Sequence, residues 1–363
     1  MKLDHDIINK WADDQNGPVA LTLKQKLLPV EGEGAVIFPP TYADIGYNID
    51  TLSDGTKVCT IDSVGSQANR MEPLFLREPW STLVPQIDVT YGKGRKVSIL
   101  EAGHRLGDAL IRCTQIKNDA HAAFRALLEA NDAYPIATLA PTSLVFGAWD
   151  SRDTQAKLPR IVQSVIRAWD VEALTRSAQY KPALNYAELE VFSEEERKKQ
   201  EGNSKSPLAE RGFVDVPATG QHGGIVARGG IERTVTVNLI ALRRLGGKNS
   251  KDLRRYILGL SLVAAAEPLE AFLRAGCLVT PDPRKPARWE LVERNGVRHE
   301  IEFNEASAFE VSAFKYAKAA ATEFGVGASK CVEFDMTLAQ KDVADAAEKK
   351  KAKGRTRKEE AGV

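Results

Sequence analysis

Histidine and cysteine are scarce in this 363-residue chain, and each scarcity removes a class of chemistry. The four cysteines (Cys59, Cys113, Cys277, Cys331) lie far apart with no C-x-x-C pair, which fits reduced core thiols and argues against a disulfide frame or a zinc knuckle. The five histidines (His5, His104, His121, His222, His299) show no H-x-x-x-H spacing, and no G-x-S-x-G elbow, P-loop or G-x-G-x-x-G turn follows a strand. An excess of one charge is missing as well. A net charge of +1 means that any anion site must come from local clustering. The opening "MKLDHDIINKWADD" is acidic and polar, and the longest apolar stretch, "YILGLSLVAAAEPL", is too short and interrupted to span a bilayer. A cytoplasmic protein with no membrane association is the expectation.

What is present is material for a folded core: 43% hydrophobic against 27% charged residues excludes a disordered or fibrous chain. "VALTLKQKLLPV" (Val19 to Val30) alternates as a half-buried strand, and "EGEGAVIFPPTYADIGYNID" reads as a long ordered loop. A helix follows at about Ser63, and Val97 to Ile116 places Ile99, Leu100, Leu106, Ala109, Leu110 and Cys113 on one side of a second. "ATLAPTSLVFGAWDSR" (Ala137 to Arg152) reads as a buried central strand. Val162, Ser164, Ile166 and Ala168 then share one strand face, with Gln163, Arg167 and Trp169 on the other.

Leu189 to Arg211 is a charged, solvated helix and loop, and "HGGIVARGGIERTVTVNLIALRRL" suggests a protruding hairpin returning to a core strand from Thr234 to Leu242. The clearest helix begins at Ser250 or Asp252 and is expected to stop at Gly276, and Asn295-Gly296 marks a hairpin. The basic run "EKKKAKGRTRK" (Glu348 to Lys358) is expected to be disordered. Strand, helix, strand, strand, helix, strand with insertions is the split β-α-β order, an α+β, RRM-like or ferredoxin-like core.

The chemistry concentrates in "CTIDSVGSQANRMEPLF". Asp62 or Ser63 can cap the helix and Ser66 and Gln67 can satisfy first-turn donors. The same start, with Gly65, Ser63, Ser66, Gln67, Asn69 and Arg70, can also seat a phosphate on free N–H groups with a guanidinium beside it. Trp149, Arg152, Lys157 and Arg160 combine an aromatic face with cations, as a single nucleic-acid strand requires, or form a solvated turn. Arg167 and Arg176 can extend that surface, and Arg228 and Arg233 can sit at a hairpin tip or merely solubilise it. His104, beside Arg105, reads more readily as a hydrogen-bonded histidine than as a base. Asp44, Asp62 and Asp150 are loop carboxylates without a fixed acidic partner, so no metal is expected.

The stretches "FPPTYA", "IDSVGSQANRMEPLF", "LAPTSLVFGAWDSRDTQAKLPR", "LTRSAQYKPA", "GGIVARGGI" and "LRRYILGLSL" resemble the signature blocks of the RAMP-superfamily backbone subunit of type I-G (formerly I-U) CRISPR effector complexes. The resemblance runs from about Leu3 to about Val279. It implies a single RAMP domain over 1–340, with an RRM-like core, insertions at about 31–58, 185–213 and 219–235, and a basic tail over 341–363. It also implies a non-catalytic subunit, without cofactor, that polymerises head to tail along CRISPR RNA in a Cascade-like complex for antiviral defence. The implied partners are the guide, target DNA through guide pairing, further copies in a helical homo-oligomer, a large subunit, a guide-end-binding subunit and a helicase-nuclease.

Related subunits grip guide phosphates with a Ser-Ser-Gln-like helix start, and Ser63, Ser66, Gln67, Asn69 and Arg70 stand in the matching place. The RNA-binding set expected on this basis adds His104, Arg105, Trp149, Arg152, Lys157, Arg160, Arg167, Arg176, Arg228 and Arg233. The family's glycine-rich loop has only a weak counterpart, "EFGVGASK" at Glu323 to Lys330. The alternative is a metal-dependent endoribonuclease of the same superfamily, using Asp44 or Asp62.

Overall fold

The computed structural model describes residues 4–301 and 308–347. Helix α1 (His5–Asp13) leads into strand β1 (Ala20–Pro29), whose alternation buries Leu21, Leu23 and Leu27 and leaves Lys24 exposed. Strand β2 (Lys57–Asp62) feeds helix α2 (Val64–Met71) directly. After helix α3 (Lys117–Ala130) come strands β3 (Val162–Trp169), β4 (Val171–Tyr180), β5 (Val216–Ala227) and β6 (Ile231–Asn238). Helix α4 (Ser250–Ala266), strands β7 (Cys277–Pro281) and β8 (Arg288–Val292), and helix α5 (Ala308–Phe324) complete the frame.

The main sheet runs β7-β1-β6-β3-β2, antiparallel at every step, and β8 pairs with the first half of β1. Read as β1, α2, β3, β6, α4 and then β7 with β8, this is the split β-α-β order with β1 and β6 in the centre, an α+β fold. One sheet face is covered: Leu21, Val162, Val235 and Val237 pack with Leu260, Val263 and Phe75 in the larger core. Leu27, Ile61, Ile166, Ile231 and Cys277 form a second cluster along the same face. Gln163 and Arg167 point the other way and are exposed, as the alternation of β3 predicts.

Several expectations are corrected. Residues 137–152 form no central strand. Tyr134–Leu139 and Thr142–Phe146 are short helices with prolines at their starts, and Gly147 ends them at φ 77°. Residues 140–148 are buried without a break, so that stretch carries no period that separates strand from helix. Residues 97–116 break into the end of a strand and three short helical turns, because Ser98 and Asp108 each cap a new start. Helix α4 begins after Asn249 and ends at Ala266, two residues before Pro268, whereas Gly276 lies in the turn that enters β7. Gly325 (φ 79°) in "EFGVGASK" follows the end of α5. Part of the expected tail is helical: residues 336–347 form a helix, while Glu348 to Lys358 lies outside the described residues.

The stretches expected as separate insertions, 185–213 and 219–235, join through one ribbon. β4 pairs with β5 from Val171↔Ala227 out to Tyr180↔Val216, with bulges after Ala218 and His222, and 181–215 forms its tip. β6 lies in the main sheet, so the returning strand starts at Ile231 rather than Thr234. Ladder bonds continue across the bend, where Arg228 N–H reaches the Asp170 carbonyl at 3.0 Å and Trp169 N–H reaches Gly230 at 2.9 Å. The loop at 31–52 braces the ribbon base through the Ile37↔Ile225 bridge, a 2.9 Å bond from Gly224 N–H to the Tyr47 hydroxyl, and the Tyr47–His222 ring contact.

Candidate nucleic-acid interface

Ser63 stands outside the helical region and caps α2, its Oγ accepting from Ser66 N–H at 3.3 Å. Its carbonyl takes Gln67 N–H at 2.8 Å, which leaves the N–H groups of Val64 and Gly65 without an acceptor among the described residues at the positive end of the helix. The cap and two unbonded N–H groups therefore coexist at this turn.

The polar side chains behind that turn face inward. Asp62 is buried and accepts from Ser66 Oγ at 2.6 Å, Gln67 Nε2 at 2.6 Å and Arg70 Nε at 3.1 Å. Gln67 is 0% exposed, and its Oε1 takes the Ser164 hydroxyl at 2.6 Å, while Arg233 Nε reaches Ser164 at 3.1 Å. Arg70 spends its other two nitrogens on the carbonyls of Phe272 and Leu273, at 3.3 and 2.7 Å. The expected clamp is corrected on two counts: Gln67 lies in the core, and Arg70 ties α2 to the approach to β7.

Arg233 is not at a hairpin tip at all. Burial pushes its guanidinium down to about 10, and its neighbours there are Ser164 and the Met71 sulfur. Arg228 is exposed at the base of the ribbon and paired with Glu172 at 2.8 Å.

Three segments distant in sequence meet at the front of α2. Arg105, in a left-handed backbone (φ 52°) and 3% exposed, donates Nη2 to Asn69 Oδ1 at 3.3 Å and Nη1 to the Gly147 carbonyl at 3.1 Å. Its Nε meets Glu72 at 2.6 Å, and its guanidinium lies 5.3 Å from the Phe146 ring centre. Burial pushes the Glu72 carboxyl up to about 7 against the pull of Arg105. The stem of Arg160 runs over Gly147, where a Cβ would stand 2.9 Å from Arg160 Cγ, so only glycine fits beneath it. Arg160 Nη2 lies 3.8 Å from where a Gly65 Cβ would be, which brings it beside the first turn of α2.

Arg160 has no hydrogen bond or ion pair among the described residues, and its Nε is buried without an acceptor. Burial and the nearby Arg105 charge both lower its pKa, the mark of a cation short of a counter-ion.

The remaining expected residues fall around this centre or apart from it. Residues 148–158 form a small hairpin closed by the Trp149↔Lys157 bridge, with Trp149 52% exposed and Lys157 Nζ 5.8 Å from its ring centre. Arg152 is exposed at its tip, where Asp150 receives the Thr154 N–H and hydroxyl at 2.9 and 2.7 Å and so serves the turn. His104 is exposed next to Arg105. Arg167 projects from the uncovered sheet face, opposite Glu232 and Thr60. Arg176 sits on the ribbon, 5.7 Å from the Phe38 ring. Gly147, Glu72 and Ser164 were not singled out from sequence. Only Gly147, a glycine closing an apolar run, carried a readable signal there.

Residues 21–173 match the family described as CRISPR-associated protein GSU0053 (Cas_GSU0053). The matched stretch holds all three segments that meet at the α2 front and stops as the ribbon begins, and the likeness is to a CRISPR-associated family. No curated protein matches the chain. Among the described residues, no helix is long and apolar enough to cross a membrane.

Proposed function

We propose that the chain is a non-catalytic RNA-binding backbone subunit of a type I-G CRISPR effector complex, and that the α2 front grips phosphates of the guide. The observation that carries this reading is Arg160: a guanidinium without a partner among the described residues, set beside Gly65 at the start of α2, with Lys157, Arg152 and the exposed Trp149 on the adjoining hairpin. Such a seat takes a phosphate oxygen, and the indole face takes a base, without reading sequence.

On this reading the bases stay free to pair with target DNA. Copies stack head to tail along the guide with the ribbon acting as a thumb, beside a large subunit, a guide-end-binding subunit and a separate helicase-nuclease.

The test is binding of a labelled, unstructured single-stranded RNA to Arg160→Glu and Arg160→Ala. Charge reversal should weaken binding at least about tenfold, and Arg160→Ala should reduce the salt slope by about 0.7, one phosphate contact on a single strand. The melting temperature should hold, because Arg160 makes no hydrogen bond or ion pair among the described residues. Unchanged affinity in the reversed variant removes the seat. The same preparations with Mg²⁺ should leave the RNA intact, and cleavage abolished by Asp44→Ala would replace this reading with the endoribonuclease one.

A further inference from the structure

We propose that Arg105 is a positioning residue for the phosphate seat: it turns the Asn69 amide so that Nδ2 faces outward as a donor to the nucleic-acid backbone, and holds the Gly147 carbonyl beneath Arg160. This inference rests on the phosphate-seat reading.

The orientation follows from what a guanidinium can do. It only donates, so the Asn69 atom facing Arg105 Nη2 at 3.3 Å must be the carbonyl oxygen. The amino group then lies on the outer side, where a Cβ at Gly103 would stand 3.8 Å from Nδ2 and where no acceptor among the described residues meets it. Asn69 is exposed and stands four residues after Gly65, so the two share a face of α2, about 6 Å apart along its axis. Arg160 over Gly65 and Asn69 one turn later thus make two donor stations on one line.

Arg105 itself is too buried to touch a ligand, yet its fork reaches both stations, Asn69 directly and Arg160 through Gly147. Packing alone explains it poorly. A buried ion pair is often replaceable by apolar side chains at no loss of stability, and a left-handed arginine costs of order 1 kcal/mol or more. Strain of that kind, held beside a set of open donors, points to a functional arrangement.

The experiment compares affinity for one single-stranded RNA, and for the DNA of the same sequence, across the wild type, Asn69→Ala, Asn69→Asp, Arg105→Lys and the Asn69→Ala/Arg105→Lys double variant. Asn69→Ala should weaken RNA binding about five- to tenfold, the loss of one backbone hydrogen bond. Arg105→Lys keeps the charge beside Glu72 but loses the fork, and should weaken binding similarly, with the double variant little worse than either single.

Asn69→Asp is the variant that folds if the others falter: it gains an ion pair with Arg105, so its melting temperature should hold or rise while its affinity falls most. In NMR spectra the Asn69 side-chain amide should shift on adding RNA to the wild type and not in Arg105→Lys. Equal losses on RNA and DNA make the acceptor a phosphate oxygen, and a loss on RNA alone makes it the ribose 2′-hydroxyl. If Arg160→Glu weakens binding but Asn69→Ala and Asn69→Asp do not, this inference fails and the seat stands. If Arg160→Glu also binds normally, the seat itself fails. Fully additive losses in the double variant would detach Arg105 from Asn69.

Discussion

At the residue scale, Asp62 and Glu72 are two acids one helix apart with opposite fates. Asp62 accepts three side-chain bonds, one from Arg70, and the front of α2 is assembled on it. Asp62→Ala leaves buried donors on Gln67 unanswered and should cost about 2–3 kcal/mol in urea unfolding. Ser63→Ala, which removes only the cap, should cost about 1 kcal/mol. Glu72 is governed by burial, which raises its carboxyl from 4.5 to about 7. The folded protein therefore binds a proton between these values that the unfolded chain has released. The resulting stabilisation is complete below about pH 4.5 and is lost as pH rises through about 7. Glu72→Gln should flatten the fall in melting temperature between about pH 5 and 8, so the variant gains on the wild type at the alkaline end. Parallel curves for the two proteins would refute the assignment.

At the element scale, the sequence announced the kinds of segment better than the directions of their side chains. A cap at Asp62 or Ser63, β1 and β3 by alternation, and the α+β class were legible, because local chemistry and period dictate them. The inward turn of Gln67 and Arg70 was not, since it depends on Ser164, Phe272 and Leu273, which lie 97 to 203 residues away. Helix α3 went unread because its buried face is mostly alanine, Ala120 and Ala123 beside Phe124, too small a stripe to mark a period. The ribbon tip has its own small aromatic group, Tyr186 and Phe192 against Phe213, and leans little on the core. Replacing 181–215 by a short glycine-containing turn should therefore leave the melting temperature within a few degrees of the wild type, and on the proposed function it should abolish regular assembly on RNA in sedimentation. Regular assembly by the shortened protein would separate the ribbon from subunit spacing.

At the scale of the whole molecule, a net charge of +1 permits nucleic-acid binding only through segregation, and on the proposed function Arg160, Arg152 and Lys157 supply the local positive charge. Binding should then fall steeply with salt, and RNA-free protein should sediment as a far smaller particle than protein with guide. The ribbon adds a mechanical consequence. Its two strands prolong β3 and β6, adjoining strands inside the sheet, and hydrogen bonding is unbroken through the bend at Asp170. It is a cantilever built into the middle of the wall. Ser164 and Arg233 sit on those same two strands and bond each other, and Ser164 bonds Gln67 of α2, so the ribbon and α2 are rooted in the same pair of strands.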